Sequence, residues 1–550
     1  MKDAIKAYAC AYHNEVTGSR FLLVIEWPDG RTNRLLIDYG YFQEVDYRFM
    51  NYVDDLDPTN IDAIIVTHNH IDHTGLIPKA VKQGYRNKVY MTEITKELVG
   101  GFWRDCAEQQ EGNAQDMRER YPDEAHKFNA LYHIEDVERA MKYCVGVPYR
   151  KTLEILPGIK LTFWENGHIL GAGMILLQCQ YLGMKPMNFL FTGDLKMSNV
   201  FFNVPKFPKW FRSMELIMFI ESTYGSTRQE DIKKCFRNNI LEAFERKQHI
   251  LIGAFAQGRM QEKLYEFKLM QDEGLIPPEY MICVDGPLGI DTTFKYQSIL
   301  EWFNPSKKDF LPKDLVYVNP KNRDSILSDG VPKILITTSG MLSNGPAKTY
   351  VPLFLEHPNA LIHLVGYAAE ETMARKLLDA KREDEVMLGL HAYHKRAVVK
   401  TTRENSSHAT EDQLLEFINM FTNIRFLGIN HGNTDTKKHF FDDIVEECPS
   451  VEDLAILDRD HMVSFYQMAT KSSRYSDIAV KKMPAKLLNE SRVVFGKEVD
   501  PKRNRGNAKK KGKNDKKKQQ KQKKQKKQKQ KQKKPKRSSN RYKGGRGRGK

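Results

Sequence analysis

The heptapeptide Thr67-His68-Asn69-His70-Ile71-Asp72-His73 constrains this chain more than any other feature. Three imidazoles and one carboxylate fall within the six residues His68 to His73, directly behind the apolar run Ile61-Asp62-Ala63-Ile64-Ile65-Val66. An apolar strand that ends in such a cluster delivers several electron-pair donors to one strand mouth. Imidazole nitrogen and carboxylate oxygen suit zinc and similar divalent ions. His68 and His70 can serve one ion, and Asp72 and His73 a second.

One short motif supplies four ligands at most, and a two-metal centre needs more, including a bridging carboxylate. Three later positions fit. His168 lies in the glycine-rich turn Asn166-Gly167-His168-Ile169-Leu170-Gly171-Ala172-Gly173, between two candidate strands. Asp194 ends the apolar run Phe189-Leu190-Phe191-Thr192-Gly193-Asp194, and His431 ends Leu427-Gly428-Ile429-Asn430-His431. Acids and imidazoles at strand ends, flanked by glycine, mark the site edges of open α/β sheets. Taken singly, each also fits an ordinary turn or cap residue; the first cluster is what raises them.

The rest of the chain supplies a frame for such a centre. Its 550 residues, 40% of them apolar, allow two to four domains with a substantial core. Before residue 200, strand-like runs (21–27, 34–38, 88–91, 159–164, 174–181, 188–192) alternate with polar or helical stretches, the longest from Glu93 to Tyr143. Pro28-Asp29-Gly30 fits the turn of an early hairpin. From about Pro208 the rhythm becomes that of a doubly wound sheet, with strands expected at 216–220, 250–255, 280–284, 334–338 and 361–365. Strand, helix and strand return at 397–400, 411–421 and 424–429, and residues 450–495 read as polar and partly helical. The start, Met1-Lys2-Asp3-Ala4-Ile5-Lys6, lacks the pattern of a secretory signal, and no apolar run is long enough for a bilayer. Seven dispersed cysteines without a CxxC pair point to reduced thiols in the cytoplasm.

The net charge of +17 conceals an asymmetry. Residues 501–550 hold 26 Lys or Arg against the single acid Asp515, leaving 61 basic and 69 acidic residues in 1–500, a net −8. A mildly acidic body thus carries a polycationic arm. The arm is nearly all Lys, Gln, Gly and Arg, cannot bury apolar surface, and is expected to be disordered.

Taken together, these motifs resemble the metallo-β-lactamase superfamily, and within it the β-CASP nucleases: ribonuclease J, the cleavage-and-polyadenylation nucleases and the Artemis-type DNA nucleases. Asp38 in Leu35-Leu36-Ile37-Asp38-Tyr39-Gly40 fits the first lactamase motif, an acid behind the ligands. His68, His70, Asp72 and His73 fit the second, His168 the third and Asp194 the fourth. Glu221 in Glu221-Ser222-Thr223-Tyr224-Gly225, His408 in Ser406-Ser407-His408 and His431 fit the three β-CASP motifs. Residues 253–259, 338–342 and 366–370 also resemble that domain. Two departures stand out: His431-Gly432-Asn433 where the family usually has His-Gly-Glu, and Thr410 where the cleavage-and-polyadenylation branch usually has Asp.

The resemblance implies an α/β fold: a metallo-β-lactamase αββα sandwich interrupted by an inserted α/β β-CASP domain and followed by a disordered basic tail. It places the sandwich at 1–208 and 395–450, the insertion at 209–394, an extension at 451–500 and the tail at 501–550. It implies two zinc ions per chain, with manganese as an alternative, one on His68, His70, His168 and Asp194, the other on Asp72, His73, Asp194 and His431. Asp72, Glu221 and His408 would take part in catalysis, with His408 as general acid oriented by Glu221, and Ser339, Gly340 and Ser407 would help bind phosphate. The implied activity is a metal-dependent ribonuclease in RNA processing or decay, exonucleolytic or endonucleolytic. The tail would tether it to RNA or ribosomes, and the chain would work in the cytoplasm, away from membranes, paired as a homodimer. A DNA nuclease of the same fold, a thioester-type hydrolase and an inactive RNA-binding scaffold are the alternatives. His431 in the third β-CASP motif favours RNA.

Overall fold

In the strand Phe21–Glu26, successive residues face different layers. Phe21, Leu23 and Ile25 enter a core between two sheets, while Leu22 and Val24 pack under helices. A strand covered on both faces reads as a continuous apolar run rather than an alternation, which is why so many strands here do. The computed structural model describes residues 4–468 and 479–482, except 45, 205, 233–234, 367, 369–371, 389–390 and 405.

Two sheets face each other across that core. The first has eight strands, in the order Ala479–Lys482, His461–Met468, Ala4–Ala11, Phe21–Glu26, Thr32–Ile37, Ala63–Ile65, Lys88–Thr92 and Cys144–Val147. The second has seven: Leu454–Ile456, Ile424–Ile429, Leu216–Ile220, Met187–Phe191, Gly173–Cys179, Ile159–Glu165 and Leu153–Leu156. Ile5, Leu23, Ile37, Phe163, Phe189, Phe219 and Phe465 fill the space between. Helices Ile77–Lys82, Glu93–Arg120 and Ile134–Met141 cover the outside of the first sheet, and Glu411–Asn419 and Thr434–Glu447 the outside of the second. This is the αββα sandwich. No helix among the described residues is long and apolar enough to cross a membrane.

The third sheet is parallel throughout, ordered Val316–Val318, Met281–Asp285, Lys333–Thr337, His249–Gly253, Ala360–Leu364 and Val398–Thr401. Apolar clusters cover both faces, as parallel sheets require. Helix Pro287–Phe303 of this insertion packs against helix Glu93–Arg120 of the sandwich through Tyr296, Ile299 and Leu300 on Ile94 and Leu98.

Three expectations need correction. Leu216–Ile220, expected to open the inserted sheet, instead lies between Met187–Phe191 and Ile424–Ile429, parallel to both, in the sandwich. Val398–Thr401, expected in the returning sandwich segment, adds to the edge of the inserted sheet beside Ala360–Leu364. The stretch after 450 is not polar helix: His461–Met468 pairs along its length with Ala4–Ala11, and its other edge takes Ala479–Lys482. Long-range pairing overrode local composition in each case. Tyr367, Ala369 and Glu370, and the whole basic tail 501–550, lie outside the described residues.

Candidate metal centre

Strand polarity brings the donors together. Thr32–Ile37 and Ala63–Ile65 run parallel in the first sheet, and Met187–Phe191, Leu216–Ile220 and Ile424–Ile429 run parallel in the second. Their C-terminal ends release Asp38, the 67–73 segment, Asp194, Glu221 and His431 at one edge of the sandwich. His168 arrives on the turn between Ile159–Glu165 and Gly173–Cys179. Close backbone approach shapes the floor: a Cβ on Gly40 would stand 1.6 Å from the Asp72 carbonyl, and one on Gly193 2.7 Å from Thr67 Cβ. Asp38 and His431 hold left-handed backbone, at φ 56° and 49°, where few residues with side chains sit.

Two donor sets meet at Asp194. His70 Nδ1 lies 3.1 Å from His68 Nε2 and 3.2 Å from His168 Nε2, and Asp194 Oδ2 lies 3.5 Å from each of the latter two. On the other side His73 Nε2 and His431 Nε2 are 3.2 Å apart and lie 3.2 and 3.3 Å from Asp194 Oδ1. Asp72 Oδ2 completes this set at 4.0 and 3.9 Å from the two imidazoles. All seven ligand candidates read from the sequence therefore converge, with one Asp194 oxygen on each side.

Behind the centre, the second ring nitrogens of His73, His168, His68 and His431 are engaged. His73 Nδ1 donates to Asp38 Oδ2 at 2.7 Å, and Asp38 also accepts from the Thr67 N–H and hydroxyl, each at 2.8 Å. His168 Nδ1 donates to the Ser407 carbonyl at 2.9 Å. His68 Nδ1 lies 3.1 Å from Thr67 Oγ1, and His431 Nδ1 3.1 Å from Thr223 Oγ1. These contacts fix the tautomers so that lone pairs point inward. Burial pushes His68 and His168 well below the ordinary imidazole value and His70 down to about 4, keeping them neutral, as ligands must be. Burial also opposes charge on Asp194, but the imidazoles beside it, His431 and His73 foremost, hold its carboxyl well below the usual range.

The fold implies divalent metal binding, and the residues fit it. Asp194 Oδ1 is buried and forms no hydrogen bond. Donors set at about 2.0–2.2 Å from a tetrahedral ion are separated by roughly 3.3–3.6 Å, close to the spacing seen here.

Beside this centre, His408 Nδ1 donates to Glu221 at 2.9–3.0 Å, and its Nε2 stands 3.9 Å from Asp194 Oδ2. Glu221 is itself held by the Leu195 and Thr223 N–H groups at 2.5 and 3.3 Å. Burial works against charge on His408, but Glu221 and Asp194 raise its pKa above the ordinary value. The 406–408 turn is anchored from both domains: Lys196 Nζ donates to the Ser406 carbonyl, and Arg259 Nη2 to Ser407 Oγ at 3.3 Å. Gln257 on the insertion donates to Leu170 O at 3.2 Å and accepts from Asn69. Ser407 thus touches the centre through His168. Ser339 and Gly340 lie in the turn after the strand Lys333–Thr337, where Ser339 Oγ accepts from Asn344 N–H at 3.3 Å. Neither bonds to a metal-centre side chain among the described residues.

Sequence reasoning missed Thr67, Thr223, Lys196 and Arg259. The two threonines and Arg259 lie inside segments already singled out, though not for these roles; nothing local marks Lys196 as a support. The departures prove peripheral to the ligands: Asn433 Oδ1 caps helix Thr434–Glu447 by accepting from Thr436 N–H at 2.9 Å, and Thr410 precedes helix Glu411–Asn419.

Residues 18–210 match the metallo-β-lactamase superfamily and residues 260–377 the β-CASP domain. The chain is 30% identical over 362 residues to an RNase J-like protein of Methanocaldococcus jannaschii, a match covering 64% of this chain and 76% of that one. It is 29% identical over 377 residues to transcription termination factor FttA of Methanococcus maripaludis, covering 65% of this chain and 56% of the relative. It is 29% identical over 432 residues to FttA of Methanosarcina mazei, covering 74% and 63%. The matches span about three fifths of the length of these FttA proteins. The chain belongs to the β-CASP nuclease family of the metallo-β-lactamase superfamily.

Proposed function

We propose that this chain is a two-metal ribonuclease that hydrolyses RNA phosphodiester bonds during RNA processing or decay. The observation that carries the reading is the His408–Glu221 pair, set against Asp194 at the junction of two complete donor sets. His68, His70, His168 and Asp194 would hold one ion, and Asp72, His73, His431 and Asp194 the other. The imidazole-rich sets favour zinc, with manganese the natural substitute. Such ions supply Lewis acidity towards the scissile phosphate and acidify a water.

The chain's own residues do the rest. Asp38, Thr67 and Thr223 keep the imidazoles aimed. Glu221 holds the Nδ1 proton of His408, so that Nε2 faces the centre and can protonate the leaving oxygen as general acid. Ser407, fixed by Arg259, stands beside His408 where a substrate phosphate would lie; Ser339 and Gly340 would extend that contact from the inserted sheet. RNA rather than DNA is favoured by His431 in its motif and by the relatives, one named an RNase J-like protein and others transcription termination factors. The basic arm would tether the enzyme to RNA or to ribosomes. Seven free cysteines suit a reducing cytoplasm.

The test uses RNA labelled at both ends, and DNA of the same sequence, with wild type, Asp194→Ala and His408→Ala. Wild type should cleave RNA in preference to DNA, Asp194→Ala should not cleave, and His408→Ala should be slower by about 10²–10⁴ while still binding metal. Full-rate cleavage by Asp194→Ala would sink the proposal. Product lengths distinguish trimming from an end from internal cutting.

A further inference from the structure

A second donor cluster lies on the outer helix layer, apart from the centre at Asp194. Glu411 is the first residue of helix Glu411–Asn419, and His439 and Asp443 stand one turn apart on helix Thr434–Glu447. His439 Nε2 is 3.2 Å from Glu411 Oε2 and 3.3 Å from Asp443 Oδ2, and one donor atom of each residue lies within 4.8 Å of the others. The Glu411 side chain is 1% exposed and that of His439 53%, so the cluster has a closed floor and an open side.

The local charges do not balance. Arg228 reaches Glu411 Oε1 through Nε at 2.6 Å and Glu447 Oε1 through Nη2 at 3.2 Å. Glu411 and Glu447 share that guanidinium, and Asp443 adds a third carboxylate 3.3 Å from His439, so three acids stand with one cation, a deficit of two charges while His439 is neutral. A proton on His439 Nε2 does not resolve it. That atom offers a single N–H, which serves Glu411, and Asp443 Oδ2 remains buried without a hydrogen bond. Burial and the charge of Asp443 push the Glu411 carboxyl up, as expected of crowded acids.

We propose that Glu411, His439 and Asp443 form a further divalent-cation site, built for a first-row ion of the zinc class. One imidazole with two carboxylates selects such an ion over magnesium or calcium. Donors 3.2–3.3 Å apart match those around an ion at about 2.0–2.2 Å. Its two charges cancel the deficit, and the open side leaves a position for water. Glu411 follows His408 by three residues, and helix Thr434–Glu447 begins three residues after His431. An ion here clasps the two helices whose leading turns carry His408 and His431, and so sets the spacing of those turns.

Metal-stripped full-length wild type, His439→Ala and Asp443→Asn are titrated with Zn²⁺ against a chromophoric zinc indicator, and their melting points are followed with and without Zn²⁺. Wild type should take up one equivalent more than either variant, and Zn²⁺ should raise its melting point further. Equal stoichiometry in all three proteins overturns the proposal. The readout is a difference of one equivalent, so it stands whether or not the centre at Asp194 loads, and it is independent of nuclease activity. Asp443→Asn preserves shape, so an unfolded His439→Ala protein does not remove the test.

Discussion

Asp38 shows how much of this centre rests on a residue that would touch no ion. Its carboxylate accepts from the Thr67 backbone, the Thr67 hydroxyl and His73 Nδ1, from a left-handed backbone position that Asn also tolerates. Asp38→Asn keeps that backbone but weakens the acceptor for the His73 proton. Loss of such a partner behind a ligand lowers metal affinity by about 10–100-fold. We expect that loss in a competition titration, with circular dichroism unchanged; undiminished affinity would mean that Asp38 does not orient His73. At this scale the convergence of the ligand candidates was legible in the sequence, because the 67–73 segment, Asp194 and His431 follow apolar runs, where side chains are presented to a sheet edge, and His168 lies in a glycine-rich turn between two strands. Thr67 and Thr223 were not, because a hydroxyl in a turn looks the same whether it caps backbone or steers an imidazole. Lys196, pushed down to about 8 by burial, reads in sequence as one more surface lysine.

Elements were legible where they announce themselves by local pattern and illegible where a distant partner creates them. The hairpin at Pro28-Asp29-Gly30 and the strand Ile424–Ile429 fall where expected, since turn chemistry and apolar runs are local signals. His461–Met468 is the contrary case. Its alternation is masked by Ser464 and Gln467, polar yet buried, and its partner Ala4–Ala11 lies some 450 residues earlier. That pairing nevertheless ties residues after 460 into the core: Phe465 is fully buried, with its ring 5.4 Å from Phe426 and 5.9 Å from Phe189. Phe465→Ala should therefore cost about 3–5 kcal/mol, as large-to-small changes in a packed core do. The fall would appear as a lower urea midpoint. An unchanged midpoint would place this stretch outside the sandwich.

At the scale of the whole molecule, charge decides how substrate is met. Residues 1–500 carry a net −8 and residues 501–550 a net +25, so on net charge the body by itself repels a polyanion and the arm attracts one. The arm ends in Arg541-Tyr542-Lys543-Gly544-Gly545-Arg546-Gly547-Arg548-Gly549-Lys550, where cations and a stacking ring alternate with glycine, as in sequence-tolerant single-strand binders. Binding through such contacts releases counterions, and the logarithm of affinity falls against that of salt with a slope of roughly −0.7 per neutralised phosphate on single strands. With six to ten phosphate contacts, the full chain should therefore lose roughly 300-fold to 10⁴-fold in RNA affinity between 50 and 200 mM salt. A chain ending at Asp500 should bind more weakly at low salt and show a much flatter slope. If the arm supplies binding and not chemistry, as proposed, its removal should raise KM and leave kcat unchanged. Fluorescence anisotropy over a salt series, paired with steady-state cleavage, measures both quantities. If the shortened chain keeps the slope of the full chain, the phosphate contacts belong to the folded body and the tether is wrong; if kcat falls instead, the arm acts on the catalytic centre itself.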